Sequence, residues 1–295
     1  GALLSNLGVI AAQDEEYARA EQLQREALEI ARAAEDHYFT VVRLDSLGDV
    51  LRWQGDYAGA FACFVEAAEL AARIGNASLE AHARTDIGLL ARFFGDDARS
   101  ECELNRGLAL ARKVQDIECE CRTEAALAWN SFAAHNDSKS LAALEVVSIR
   151  ARAAGSAAAE AYTLTALGAA LLENGAFDDA FTALERAVTL QRSLPGSLML
   201  LAPLALLADL HRRCNNTMAA MQRVEEILHI LNNRVVGGID DPLAVYMMVV
   251  RVLDSVHDPR RGAILRRGCE HLLAQADAFP STRLYVQVQA WQDSL

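Results

Sequence analysis

Three arginines recur along this chain at intervals that are multiples of 40 residues: Arg52, Arg92 and Arg212. A guanidinium group presents a planar fork of N–H donors that fits a carboxylate or a phosphate. Trp53 and Phe93 directly follow two of these arginines, and aromatic rings supply area for stacking. The pattern predicts a surface that binds an acidic or aromatic-bearing peptide, or a small polar ligand.

A second interpretation of the arginines stays open. Asp49, Asp86 and Asp209 lie within six residues of Arg52, Arg92 and Arg212 respectively. Exposed arginine–aspartate pairs are common and contribute little to stability or recognition. In that case the arginines are solvated members of ion pairs and carry no binding function.

Signals for catalysis or for a metal are weak. Cys119 and Cys121 have no second pair at the spacing of zinc ligands, and Cys269-Glu-His271 is equally isolated. The sequence contains no glycine-rich phosphate loop followed by Lys-Ser or Lys-Thr, and its histidines fall into no recognisable nucleophile motif. We therefore predict a protein that is not an enzyme and that has neither a cofactor nor a metal site.

The elements that must position these residues are copies of one unit, repeated with a period of 40 residues. Each copy is marked by an aliphatic residue followed by a small one, and further along by two more columns of mostly small residues. The first column is Leu7-Gly8, Leu47-Gly48, Ile87-Gly88, Leu127-Ala128, Leu167-Gly168 and Leu207-Ala208. The second is Ala20, Ala60, Ser100, Ser140, Ala180 and Ala220, and the third is Ala27, Ala67, Gly107, Val147, Ala187 and Ile227. Three columns in phase over six copies indicate a solenoid of helical repeats.

One unit consists of two helices and a tight turn, as the stretch from Asp45 to Leu70 shows most clearly. Gly55-Asp56 separates two helical patterns, because glycine ends a helix in the left-handed conformation and aspartate caps the next one. Small residues let the two helix axes approach each other, and a large neighbour fills the groove. The corresponding turn positions are Gly55, Gly95, His135, Gly175 and Asn215.

The motifs Leu-Gly, then Gly-Asp-Tyr at residues 55–57, then Ala60-x-x-x-Phe64-x-x-Ala67 resemble the tetratricopeptide repeat. The usual period of that repeat is about 34 residues, and the six extra residues correspond to roughly 9 Å of additional helix per unit. HEAT and armadillo repeats have about the observed period but lack these motifs. The resemblance covers about residues 1–235 strongly. It implies an all-α fold, a right-handed superhelical solenoid of helical hairpins.

We predict two regions in this solenoid. Residues 1–236 form six repeats, of which the fourth departs most from the pattern, and residues 237–295 form a degenerate seventh helical pair and a partial terminal helix. The stretch Gly237-Gly238-Ile-Asp-Asp-Pro242 is the clearest linker. The chain begins without methionine and closes inside a predicted first helix, so we expect a fragment of a longer protein.

The resemblance also implies which side chains line the concave face, because the first helix of each repeat faces inward in that family. Trp129 and Phe132 are ambiguous, since they could also fill the space left where repeat four lost its glycine. The candidate groove residues are Arg52, Trp53, His82, Asp86, Arg92, Arg122, Trp129, Phe132, Tyr162 and Arg212.

Charge and composition exclude several classes of partner. A net charge of −12 disfavours nucleic acid and anionic membranes, which attract lysine and arginine. The first residues show no signal-peptide pattern, and we expect no membrane span, since no apolar run is long enough to cross a bilayer. Its six scattered cysteines are typical of free thiols in a reducing compartment, so we predict a cytoplasmic protein. Arginine almost entirely replaces lysine, which suggests a bacterial source.

The 40-residue spacing resembles that in the sensor regions of large bacterial signalling proteins, including transcriptional activators related to the maltose regulator. The resemblance implies a non-catalytic module that binds a protein, a peptide or a small polar ligand and senses it for a larger regulator. Two alternatives stay open: an assembly scaffold that uses its convex face or its ends, and a peptide-pheromone type of receptor. The pattern sets neither the ligand nor the oligomeric state.

Overall fold

The computed structural model describes residues 2–194, 196–232, 234–276 and 282–293, and within these residues the regular structure is entirely helical. Fifteen α-helices are present, most of them 16 to 19 residues long, with a short 3₁₀ turn at Ser197–Leu200. The helices are α1 Ala2–Gln13, α2 Tyr17–Ala33, α3 His37–Gln54, α4 Tyr57–Arg73, α5 Ala77–Phe93, α6 Asp97–Val114, α7 Ile117–His135, α8 Ser138–Ala153, α9 Ala157–Glu173, α10 Phe177–Arg192, α11 Leu201–Arg213, α12 Thr217–Leu231, α13 Pro242–Ser255, α14 Arg261–Ala276 and α15 Thr282–Gln292.

The chain divides into two compact units, residues 1–120 and residues 121–295, with the boundary inside α7. In the first unit the consecutive helices from α1 to α6 pack on each other. In the second unit the same holds along most of the series from α8 to α15. Each unit is therefore a row of helical hairpins.

Turns in the first unit recur every 20 residues, so each 40-residue repeat consists of two segments, each made of one helix and one turn. A residue with a left-handed backbone ends each helix, with φ between 53° and 82°. In five of these six turns the next residue is an aspartate or asparagine whose side-chain oxygen accepts a hydrogen bond from the backbone N–H three residues later, at 2.8–3.1 Å. In the first turn the next residue is Glu16, whose side chain makes no such bond. The left-handed residues are Glu15, Glu35, Gly55, Gly75, Gly95 and Gln115, and the caps are Asp36, Asp56, Asn76, Asp96 and Asp116.

One predicted turn position is wrong. His135 is the last residue of α7, and Asn136 adopts the left-handed conformation with φ 49°. Asparagine tolerates this conformation better than most residues, so α7 runs one residue further before it ends. Asp137 then caps α8 by accepting from the backbone N–H of Ser140 at 2.7 Å. The shift is absorbed within the turn, because Ser140 keeps its place in the buried column.

The predicted close approach at the Leu-Gly column is confirmed. A Cβ atom added to Gly48 would lie 2.6 Å from Phe64 Cε1, and one added to Gly168 would lie 2.5 Å from Leu184 Cγ. A Cβ atom added to Gly88 would likewise lie 2.6 Å from Leu104 Cγ. In each case a large residue 16 positions later, on the second helix of the pair, fills the space that glycine leaves. This packing fixes the two helices of each of these pairs against each other.

The predicted linker at residues 237–242 is a packed segment rather than an exposed one. Between α12 and α13, Val236 is fully buried and Ile239 is 5% exposed. The backbone N–H of Val236 donates to the Tyr246 hydroxyl at 2.9 Å, and burial raises the pKa of Tyr246 to about 12. Gly238 supplies a positive φ of 75°. Two apolar side chains in a glycine-containing loop gain enough by burial to hold it against the helices.

Candidate functional site

Arg52, near the end of α3, is buried, with a residue exposure of 7%. Its guanidinium donates from Nη2 to Asp49 Oδ1 at 3.0 Å, one helical turn earlier. This is the aspartate pairing that the sequence left open. Little of the Arg52 guanidinium group is therefore exposed to solvent.

Trp53 lies in a packing role on the same helix. Its ring packs against a cluster that includes Ala11, Ala20 and Val50. The Trp53 ring centroid is 6.1 Å from that of Tyr17 on α2. A half-buried indole in this setting contributes mainly apolar contact between neighbouring hairpins.

The remaining candidates of the first unit lie on α5. The His82 ring nitrogen Nε2 is 2.8 Å from Asp116 Oδ2, and the His82 side chain is 40% exposed. Burial raises the pKa of Asp116, but hydrogen bonds from the Cys119 backbone and from His82 outweigh it, so that the net change is a lowering. Asp86 is buried and Arg92 is half-buried in the last turn of the helix. His82 and Arg92 are thus the more accessible of the charged candidates here.

In the second unit, α7 carries two aromatic candidates that touch each other. The ring centroids of Trp129 and Phe132 are 5.9 Å apart, and the ring planes are inclined by 22°. Phe132 is 3% exposed, whereas Trp129 is half-buried. Phe132 therefore fills space, as the sequence allowed, while part of the Trp129 ring is accessible. Arg122, on the same helix, is also half-buried.

Tyr162 on α9 contacts the packed segment between α12 and α13. Its hydroxyl donates to Asp240 Oδ2 at 2.9 Å, across 78 residues of sequence. No sequence pattern predicted this pair, because Asp240 lies in the segment predicted to be a linker. Tyr162 is therefore partly buried, and its hydroxyl is held by a residue of this segment.

Arg212 at the end of α11 shares one carboxylate with its neighbour Arg213. Asp209 is fully buried and lies 2.7 Å from a nitrogen of each arginine. Arg213 also reaches Glu173 at the end of α9, at 2.6 Å. The two carboxylates outweigh burial and raise the pKa of Arg213. Arg212 keeps 31% of its side chain exposed, so this guanidinium is partly available.

The structure brings together a buried ion cluster that sequence reasoning missed. Glu160, at the start of α9, is 5% exposed and lies 2.8 Å from Arg152 of α8 and 3.3 Å from Arg186 of α10. The three residues belong to three different helices, which ties adjacent hairpins together. Burial raises the pKa of Glu160, but the hydrogen bonds from both arginines outweigh it and lower the pKa overall.

We expect Glu160→Gln to lower the free energy of unfolding at pH 7 by about 2 kcal/mol, because it replaces charge-assisted hydrogen bonds by weaker ones. A carboxyl group whose pKa is lowered by folding stabilises the protein at pH values above its ordinary pKa of 4.5. This stabilisation is lost as the pH falls through the lower pKa of the folded state. The difference between variant and wild type should therefore narrow below about pH 4.5. Urea unfolding at pH 7 and at acid pH measures it. The exposed Glu101→Gln serves as control, and an equal difference at both pH values would contradict the prediction.

The candidate residues thus separate into two groups. Arg52, Asp86 and Phe132 are buried, and Trp53 packs between hairpins. The more accessible candidates of the second unit lie on three first helices, α7, α9 and α11. They are Arg122, Trp129, Tyr162 and Arg212.

No helix among the described residues is both long enough and apolar enough to cross a membrane. In the same part of the chain no group of three or more histidine, cysteine, aspartate or glutamate side chains is arranged to hold a metal ion. Cys119, one of the weak ligand candidates, is buried with its sulfur 3.7 Å from the Thr85 hydroxyl.

Comparison with protein families finds two matches, both described as tetratricopeptide repeat. One covers residues 42–113, and the other covers residues 1–36 and 161–195. A search of curated proteins finds no match. The predicted fold class, all-α and built from tetratricopeptide-like helical hairpins, is confirmed by these matches and by the structures that the chain resembles.

Three solved structures illustrate this similarity. NprR in complex with its cognate peptide NprX is 13% identical with a TM-score of 0.70, over 100% of this chain and 82% of that one. A Rap protein complexed with Competence and Sporulation Factor is 12% identical with a TM-score of 0.57, over 99% and 98%. A signal transduction ATPase with a tetratricopeptide repeat sensor, from Pyrococcus horikoshii, is 15% identical with a TM-score of 0.50, over 98% and 44%.

Proposed function

From the premise that this chain is a tetratricopeptide repeat protein, we propose that it is a non-catalytic module that binds a protein or peptide partner. The observation that carries the proposal is the similarity over the full length of the chain to NprR, which was crystallised with a peptide. A row of rigid helical hairpins presents side chains at fixed intervals, which suits recognition of an extended partner. The accessible candidates supply the chemistry.

The partner that fits those candidates is an acidic peptide with at least one aromatic side chain. Arg122 and Arg212 offer guanidinium groups for carboxylates, and Trp129 offers a partly exposed ring for stacking. Tyr162 adds a phenol that already donates to one carboxylate, that of Asp240. These residues all lie after the boundary within α7, in the second unit, so the proposed site lies within that unit.

The narrower role in this proposal is that of a sensing region in a larger signalling or transcriptional regulator. The Pyrococcus protein supports it, because its tetratricopeptide repeats are described as a sensor and this chain spans 44% of its length. A peptide-pheromone type of receptor is the second candidate, and the NprR complex favours it, since NprR was crystallised with its cognate peptide. The two roles share one binding chemistry and differ in the source of the peptide.

A displayed library of random peptides, panned against the purified chain, tests the function. We expect enriched sequences to be acidic and to contain aromatic residues. Binding of an enriched synthetic peptide should weaken by at least about tenfold in Arg122→Ala/Arg212→Ala and again in Trp129→Ala, because charge-assisted hydrogen bonds contribute about 1.5–3 kcal/mol each.

The matched control is Arg106→Ala, which removes an exposed arginine from the second helix α6. It should leave the affinity unchanged. Failure to enrich any peptide, or equal loss of binding in the control and in the candidate variants, would overturn the proposed site. Circular dichroism on each variant separates lost binding from lost folding.

A further inference from the structure

The outer face of α8 is apolar although it faces solvent. Val146 is 56% exposed and Ile149 is 67% exposed, and the alanines one turn before and after them, Ala142 and Ala153, are exposed as well. These four residues form a continuous stripe along the helix, which we call the α8 stripe. Exposed aliphatic residues in a continuous stripe indicate an interaction surface.

The α8 stripe is not needed for the fold of its own chain. The opposite side of α8 carries Leu144, Val147 and Ala151, all at most 4% exposed, and this side packs the helix into the second unit. A surface helix needs only one apolar face to be held in place. The second apolar face is therefore available for another molecule.

Four other second helices, α2, α4, α6 and α10, lack such a stripe. At the same repeat positions they carry mostly charged or polar residues, which is what a solvated outer face requires. Those positions are Gln22, Glu26, Glu29 and Ala33 in α2, Ala62, Glu66, Glu69 and Arg73 in α4, Cys102, Arg106, Ala109 and Lys113 in α6, and Thr182, Arg186, Thr189 and Ser193 in and just after α10. The apolar outer face is thus particular to repeat four among these repeats.

The spacing within the α8 stripe is that of a coiled-coil seam. From Ala142 the steps are four, three and four residues, which is the alternation of a and d positions in a heptad. Leu144, Val147 and Ala151 then occupy the f and b positions, the side that a coiled coil turns away from its partner. The a and d positions of α8 are therefore exposed to solvent, while its f and b positions pack against the rest of the second unit.

The stripe is also complementary to itself when reversed. In an antiparallel pair of α8 helices with its two-fold axis between Ser148 and Val147, Val146 faces Ile149 of the other copy. In the same arrangement Ala142 faces Ala153. Small residues therefore face small residues at both ends of the helix pair, and larger residues face each other in the middle.

The charges beside the stripe follow the same symmetry. Glu145 and Arg152 both occupy g positions, which lie on the same side in an antiparallel pair, so Glu145 of one copy comes next to Arg152 of the other. Both side chains are exposed, Arg152 by 63% even while it holds Glu160. A two-fold axis makes this attraction occur twice, whereas the parallel arrangement would not bring the two together.

We propose that a second copy of this chain docks on the α8 stripe to form an antiparallel, two-fold symmetric dimer. An isologous contact of this kind is the commonest way in which identical chains associate. The seam spans less than two heptads, so its buried area is below that of a standard interface and the dissociation constant is on the order of 10–100 µM. This dimer is independent of the proposed peptide site.

Sedimentation velocity over a concentration series tests the association. The average mass of the wild type should rise above 32.0 kDa as the concentration passes about 10 µM. Ile149→Glu should raise the dissociation constant at least about tenfold, because it places a charge in the apolar seam. Thr189→Glu, at the equivalent outer position of α10, should leave association unchanged.

Cross-linking tests the orientation. In a background of Cys102→Ser and Cys214→Ser, which removes two exposed thiols, chains with Ala142→Cys are mixed with chains with Ala153→Cys. We expect a disulfide between the two kinds of chain and none within either population alone. The proposal is overturned by any of three results. These are a wild type that stays monomeric at 10-fold above the expected dissociation constant, loss of association in Thr189→Glu, and cross-linking of either population by itself. Capture of only a different protein on α8, without self-association, would do the same.

Discussion

Gly168→Val is expected to lower the free energy of unfolding by about 3 kcal/mol, the cost of forcing extra atoms into a close-packed core. A Cβ atom at this position would lie 2.5 Å from Leu184 Cγ and 2.6 Å from Leu184 Cδ2 before the two methyl groups of valine are added. Leu184 is fully buried and cannot move aside into solvent. Chemical denaturation followed by circular dichroism at 222 nm measures the change.

Gly262→Val is the matched control, because Gly262 is also helical but a Cβ there would meet nothing within 4 Å. Its effect should stay within about 0.5 kcal/mol. Gly168→Ala should fall between the two, since the same repeat position already holds alanine at Ala128 and Ala208. Equal effects of valine at residues 168 and 262 would mean that helix α9 does not approach α10 as closely as described.

Arg84→Met should destabilise the first unit by about 3 kcal/mol, because it leaves two carboxylates without their shared cation. Arg84 is 7% exposed, and its guanidinium reaches Glu80 at 2.6 Å on its own helix and Glu103 at 2.7 Å on α6. Burial lowers the pKa of Arg84, but these two partners outweigh it and raise the pKa. Denaturant unfolding at pH 7 measures the loss.

The corresponding control is Arg106→Met, which shortens an exposed arginine of α6. It should change stability by less than about 0.5 kcal/mol. Adding Glu103→Gln to Arg84→Met should recover part of the loss, since it removes one of the two unpaired carboxylates. If Arg84→Met were no worse than Arg106→Met, the buried cluster would contribute nothing net to stability.

These buried clusters bear on how binding variants are chosen. Arg52 and Asp86 were both expected to line the groove, yet both are buried, and Arg52 is held in an ion pair with Asp49. Replacing them would change stability before it changed recognition. Arg122, Trp129 and Arg212 are the better probes of the proposed function, because each keeps part of its side chain in solvent.

The helices and their order could be predicted from the sequence because the relevant forces are local and repeated. Glycine in a left-handed turn and the aspartate that follows it act within three or four residues, as at Gly55-Asp56. The Leu-Gly column recurs in phase, and its meaning depends only on the pairing of adjacent helices. The one wrong turn position, at His135, shows where this local prediction fails. Either His135 or Asn136 could have been the left-handed residue that ends the helix, and the repeat pattern does not contain the small energy difference that selects Asn136.

The accessibility of the candidate side chains was decided by tertiary structure. The sequence set Arg52, Arg92 and Arg212 in one column, but whether a guanidinium meets solvent or a carboxylate depends on side chains from other turns and other helices. Glu160 acquires its partners from α8 and α10, and Tyr162 meets Asp240 across 78 residues. The sequence alone therefore determined the repeat, its helices and its caps, since these follow from contacts between near neighbours. Only the tertiary structure decided which polar side chains are buried in ion pairs and which stay partly exposed, because those contacts join residues that no local pattern relates.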